Sequence, residues 1–229
     1  MNRTASVFRM NARDKLSWFY IPWLILGISF AINLVIGYLL SEENGMYTGG
    51  IASIYVYMFV MGLIVLAQTF PFALGLGVRR TDYFWGTTAT GGAVSALFAV
   101  ILIALGAMER HLTGGWGVNL HFFHLPYLND GPIVAQLWVS FALLMHVFFS
   151  GFVIASLYRR FGKTGLYVLF AVLLLGGSVG SYLLTYYGKW IAVFGSLFDR
   201  SASELAVWLF AIAAAYALAS YRLLRRATA

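Results

Sequence analysis

The chain has 229 residues, of which 61% are hydrophobic and only 10% charged, with a mean hydropathy of +0.82. A water-soluble domain carries about 25% charged residues, so an ordinary soluble enzyme or binding module is excluded. Cysteine is absent, which removes disulfides and thiolate metal sites from consideration.

The charges divide the sequence into uncharged windows at 16–41, 44–78, 83–108, 131–158, 164–188 and 205–221. A helix needs about 20 apolar residues to cross the hydrocarbon layer. The windows predict an all-α integral membrane protein of six transmembrane helices, at about 17–40, 50–70, 87–108, 133–157, 165–187 and 204–222, forming a single transmembrane domain over 1–229. Barrel strands would alternate apolar and polar residues over about 10 positions, whereas these runs are continuous.

Orientation follows from the basic residues, which stay preferentially on the cytoplasmic side. With both termini inside, only Arg110, Lys189 and Arg200 of the 15 Lys and Arg fall in outer loops. The acids run the other way: Glu42, Glu43, Glu109, Asp130, Asp199 and Glu204 lie outside, Asp14 and Asp82 inside. The net charge of +7 is thus a topology signal rather than a nucleic-acid footprint.

In chain order, residues 1–16 mix Val7, Phe8 and Met10 with Arg3, Arg9, Arg13 and Lys15, a pattern that suits a cytoplasmic amphipathic elbow helix on the lipid surface. The apolar run that follows is about twice a signal-peptide core and lacks a small-x-small cleavage site, so it is expected to remain as the first span, with Pro22 near its start. Span 3 carries Thr87, Gly91, Ser95 and Ala99 at intervals of four, and span 5 carries Gly176 and Gly180 beside Gly177. Small residues let helix backbones approach closely in lipid, within one subunit or across a dimer seam. The long outer loop holds His111, His121 and His124. HFFH (121–124) lacks a third ligand or a nearby carboxylate pair for a metal, and Trp116, Phe122, Phe123 and Tyr127 read as interfacial aromatic anchors. Residues 189–198 put Trp190, Ile191, Phe194, Leu197 and Phe198 on one side of a helix too short to cross, which predicts an interfacial or re-entrant segment. Ser201 three residues before Glu204 is a capping pattern for the last span.

Most candidate chemistry fails on inspection. Gly162, Lys163 and Thr164 spell the end of a P-loop, yet Leu157 stands where its first glycine belongs and a membrane helix precedes it where a strand should. No metal, cofactor or catalytic constellation is found, and acidic and basic residues stand only in loops or at span ends, not inside a span, where ionisable groups mark relays and ion pathways. Asn33, Gln68, Gln136 and His146 are the polar side chains most suited to line a pathway, since an unpaired polar group in hydrocarbon costs several kcal/mol. Hydrogen bonding between helices is the alternative for each.

Charge breaks the apolar runs most abruptly at PFALGLGVRRTDYFWG (71–86), between spans 2 and 3 on the cytoplasmic side. Pro71 can open a short helix that Gly75 and Gly77 stop, and Thr81 can cap the next helix with Asp82 in its first turn. LGLGVRRTDYFWG resembles the segment between the second and third spans of ABC-2 type transporter permeases, in which a leucine-glycine pair is followed by arginine, a charged residue, aromatics and a closing glycine. Leu76, Gly77, Arg79, Asp82, Tyr83, Phe84 and Gly86 match, and six spans, a basic elbow and an outer amphipathic segment extend the resemblance over nearly the whole chain. It implies an ABC exporter fold with a coupling helix at 71–86 that docks on a separate ATP-binding cassette ATPase through Leu76, Gly77, Arg79, Arg80, Asp82, Tyr83 and Phe84. ATP and Mg would be bound by that partner, two permease copies (a homodimer or a pair of paralogues) would complete the unit, and the location would be a bacterial plasma membrane. The short outer loops favour a hydrophobic or amphipathic cargo such as a drug, peptide or lipid. A non-transporting assembly or sensor subunit, with the basic turn anchored on anionic lipid, remains the competing class.

Overall fold

The computed structural model describes residues 3–40, 45–126, 129 and 131–226. Glu42, Glu43, Tyr127 and Asp130 lie outside the described residues. Seven helices occur among the described residues: α1 (Arg3–Arg13), α2 (Ile21–Leu40), α3 (Ala52–Gly75), α4 (Arg80–Met108), α5 (Ile133–Tyr186), α6 (Trp190–Phe198) and α7 (Ala202–Arg225). Five of them, counting the π-helical turns that extend α2 backward to Leu16 and α4 forward to Thr113, are long and apolar enough to cross a bilayer.

The longest, α5, spans 54 residues and would reach roughly 80 Å if straight, far beyond a hydrocarbon core of about 30 Å. It is not straight. Gly162 takes φ 63 and ψ −153, a region accessible essentially to glycine alone, and it separates limbs at 133–161 and 163–186. A Cβ placed on Gly165 would lie 2.7 Å from the Phe161 Cβ and 3.5 Å from Leu157, so the limbs close on each other at the bend. The break falls where the sequence separates spans 4 and 5.

The first limb of α5 is the axis of the bundle. On one side Gly151 meets the Phe59 carbonyl and Gly62 meets the Phe148 carbonyl so closely that a Cβ on either glycine would overlap the facing backbone. With no hydrophobic force to drive helices together in lipid, this backbone contact maximises van der Waals attraction. Neither glycine stands out in the sequence. On a second side Gly91 of α4 admits the Phe148 ring, and on a third His146 Nδ1 lies 3.2 Å from the Leu209 carbonyl oxygen of α7. Phe70, Tyr83, Phe98, Phe148 and Phe152 are fully buried at this junction.

The two small-residue stripes part company. Thr87, Gly91, Ser95 and Ala99 are buried against the bundle, whereas a Cβ on Gly176, Gly177 or Gly180, on the second limb of α5, would have open space around it. Helix packing within the subunit accounts for the first stripe only.

At one end of the bundle β1 (Met46–Tyr47) and β2 (Leu120–His121) pair in parallel, Met46 with Leu120 and Tyr47 with His121. The fixture there is Glu109, read from the sequence as an outer span-end carboxylate but fully buried. It accepts hydrogen bonds from Trp116 Nε1 at 2.9 Å and from the backbone amides of Phe122 at 3.1 Å, Phe123 at 2.8 Å and His124 at 3.0 Å. Trp116 and Asn119 take left-handed φ values of 60 and 55, which winds the loop back so that these amides converge on the carboxylate. The expected interfacial anchors are corrected accordingly: Phe122 and Phe123 are buried and Trp116 half-buried, all three against Phe30. Captured amides turn the rings inward. His121 stacks on Tyr47, with ring centroids 4.5 Å apart, and stands 3.8 Å from Glu109, while His111 is exposed. Among the described residues no three potential ligands assemble into a metal site.

Residues 190–198 form α6, whose Ile191, Phe194, Leu197 and Phe198 are exposed. Ser201 caps α7, its Oγ accepting from the Glu204 amide at 3.3 Å.

Candidate functional site at the basic end

The opposite end of the bundle gathers Arg79 and Arg80 at the α3–α4 turn, Arg159 and Arg160 at the end of the first α5 limb, and Arg222, Arg225 and Arg226 at the end of α7. The turn is built differently from the expected short helix followed by a new one. α3 runs through Pro71 to Gly75 without interruption, so Pro71 lies inside a helix rather than opening one, and no separate coupling helix forms. The stop is a Schellman motif. The Gly77 amide donates to the Leu74 carbonyl at 2.9 Å and the Val78 amide to the Ala73 carbonyl at 3.1 Å, with Gly77 at φ 75. Val78 packs on the core beside this closure.

One extended residue follows. Arg79, at φ −70 and ψ 146, occupies the cap position of α4 and supplies no side-chain cap bond. Thr81, expected to cap, lies inside the helix. Asp82 stands in the first turn of α4, where a negative charge complements the helix dipole.

Two devices hold the turn. Tyr83 is fully buried, its hydroxyl 2.7 Å from Thr69 Oγ1 and donating to the Val65 carbonyl at 3.2 Å, and its ring meets Phe70 edge-on at 5.0 Å. That locks the first turn of α4 to the last turns of α3. From outside, α1 lies across α4: Arg3 Nη1 donates to the Gly77 carbonyl at 3.2 Å, Thr4 Oγ1 donates to Asp82 Oδ1 at 3.4 Å, and Val7 sits where a Cβ on Gly86 would be 2.6 Å away. Gly86, the closing glycine of the motif, is what permits this approach.

The expected coupling residues therefore divide. Leu76, Gly77 and Arg79 are exposed, Arg80 and Asp82 are half-buried, and Tyr83 and Phe84 are inside the bundle. Phe84 packs against Phe152 and Tyr221 at 6.2 and 5.3 Å. Phe72 and Trp85, outside that set, are 60% and 57% exposed at the same end. The accessible crest is thus apolar and basic, and the aromatic residues beneath it hold its base.

The four polar candidates for a pathway are not joined by any hydrogen bond among the described residues. Asn33 Nδ2 donates to the Ser29 carbonyl of its own helix at 2.8 Å, Gln136 Nε2 donates to the Gly131 carbonyl at 3.0 Å, and His146 pairs with the Leu209 carbonyl beside the Tyr216 ring at 5.7 Å. Gln68 is exposed on α3. Gly162, Lys163 and Thr164 form the bend between two helical limbs, with helix before and after and no strand, a context unlike the strand-loop-helix of a P-loop.

No protein-family model matches this sequence, and no curated protein and no solved structure is similar to it.

Proposed function

We propose that the chain is the membrane-spanning permease subunit of an ATP-driven exporter, in which the α3–α4 turn at the basic end receives the movement of a separate ATP-binding cassette ATPase. The observation that carries this reading is the construction of the turn: an exposed apolar and basic crest on a base locked at Tyr83 and braced by α1. A surface loop serving only as a connection needs no such bracing. A crest fixed to α3 and α4 moves them as one body, and both helices are packed on the first limb of α5 through Gly62 and Gly91.

In this reading the two limbs of α5 count as separate spans, which gives the six-span, N-in and C-in arrangement with the basic end in the cytoplasm. ATP and Mg belong to the ATPase. A second copy of the permease completes the pathway, and the Gly176–Gly180 stripe, with open space around it, suits such a seam. The cargo class is hydrophobic or amphipathic.

The test asks whether an adjacent reading frame encodes a protein with a complete P-loop, and then co-expresses the two for co-purification and ATPase assay in proteoliposomes. Leu76→Asp combined with Arg79→Glu changes only exposed crest residues, so insertion and folding should be retained while ATPase stimulation falls at least tenfold. Unchanged stimulation and transport in that variant would overturn the coupling role. Absence of any co-purifying ATPase would leave the assembly or sensor class in its place.

A further inference from the structure

Four arginines, Arg160, Arg222, Arg225 and Arg226, line a single cavity of about 570 Å³ between the first α5 limb and the end of α7. None of the four pairs with an acidic group among the described residues. Its wall is fixed to the α3–α4 turn, since Arg80 Nη1 donates to the Arg225 carbonyl at 3.4 Å. Four like charges facing one cavity repel one another unless an anion joins them, and the planar fork of arginine matches phosphate oxygens in paired hydrogen bonds.

One contact links this cavity to a second. The Arg160 guanidinium lies over the Phe161 ring at 4.8 Å, and Phe161 lines an apolar cleft of about 480 Å³ between the two limbs of α5, with Leu157, Val168 and Val172. A basic cavity and an apolar cleft linked across one arginine–aromatic contact have the division of a phospholipid. We propose that this end of the bundle is a site for one anionic phospholipid, with its headgroup phosphate among the four arginines and an acyl chain in the cleft along Phe161 and Val168. The Lys and Arg distribution puts both cavities at the cytoplasmic leaflet, where anionic lipids concentrate. Any soluble phosphate shares the headgroup chemistry, but the cleft would give it nothing to hold. This site is independent of the exporter reading.

The experiment is native mass spectrometry of the full chain, purified in neutral detergent and offered equal phosphatidylglycerol and phosphatidylcholine. The wild-type chain should retain phosphatidylglycerol in preference by about 30-fold or more. At about 1 kcal/mol for each basic residue near a headgroup, Arg160→Gln with Arg222→Gln should reduce the preference by roughly 10- to 30-fold. Arg9→Gln with Arg13→Gln removes the same charge from exposed positions of α1 and should leave it intact. Val168→Trp fills the cleft and should lower retention of the long-chain lipid while a short-chain phosphatidylglycerol still binds. An equal loss in the α1 variant would mean diffuse surface charge and overturn the site. Displacement of the lipid by millimolar inorganic phosphate would mean a soluble-anion pocket and overturn the lipid assignment. Should the Arg160 variant not fold, Arg225→Gln with Arg226→Gln, at exposed positions near the chain end, gives the same reading.

Discussion

Replacing Glu109 with alanine removes the acceptor shared by four donors, and the magnitude can be worked from their burial. The Phe122 and Phe123 amides belong to buried residues and have no other acceptor at 3.1 and 2.8 Å, and a buried donor left unpaired costs about 1–3 kcal/mol. Trp116 and His124 are partly exposed and can turn to water, which limits their share. The expected loss is about 3–5 kcal/mol, concentrated in the loop over 109–124 rather than in the helix junction around Phe148. Glu109→Gln keeps one oxygen but turns an amide donor toward amide donors, so about half that loss is expected. The assay is trypsin cleavage after the exposed Arg110 in detergent, read beside tryptophan fluorescence of global unfolding. A local loss of about 3 kcal/mol raises the opened population roughly a hundredfold, so cleavage should accelerate by that order in Glu109→Ala while the bundle still unfolds cooperatively. A cleavage rate within twofold of the wild-type rate would refute the role assigned to this carboxylate.

Further outcomes follow from other contacts. Gly151→Val and Gly62→Val drive a side chain into a facing carbonyl and should lower stability by about 1–3 kcal/mol or more, measured by denaturant titration, whereas Gly177→Val, in open surroundings, should change the isolated subunit little. Tyr83→Phe removes the bond to Thr69 and should cost about 1 kcal/mol and loosen the α3–α4 turn, seen as faster amide exchange at residues 76–82. Ser201→Ala removes the α7 cap and should cost about 1 kcal/mol. Because the chain has no cysteine, single cysteines report topology cleanly: an impermeant maleimide added outside intact cells should label Thr113→Cys and Lys189→Cys but not Arg79→Cys or Lys163→Cys. Labelling at position 163 from outside would contradict a bilayer crossing on each side of the Gly162 bend.

The helical, membrane-type character of the chain was legible in the sequence because it follows from composition and the length of uncharged runs, which are additive along the chain. Local chemistry was legible too. Ser201 before Glu204 wrote a cap, Arg3–Arg13 wrote an amphipathic helix, and Gly162 stands at the break between the fourth and fifth apolar windows. Tertiary structure decided the rest, for reasons of distance. Gly62 and Gly151 lie far apart in sequence, and only their crossing makes them the point where two backbones touch. Glu109 reads as one more loop carboxylate until residues 116–124 fold back and spend their amides on it, which also sends Phe122 and Phe123 inward. In the 71–86 stretch the charges and glycines marked the turn, but whether Tyr83 and Phe84 meet a partner or the core depends on α3 and α5 beside them. Of the four arginines of the basic cavity, Arg222, Arg225 and Arg226 are neighbours at the end of α7, and only the fold sets Arg160 of the first α5 limb beside them, past the α5 bend and α6.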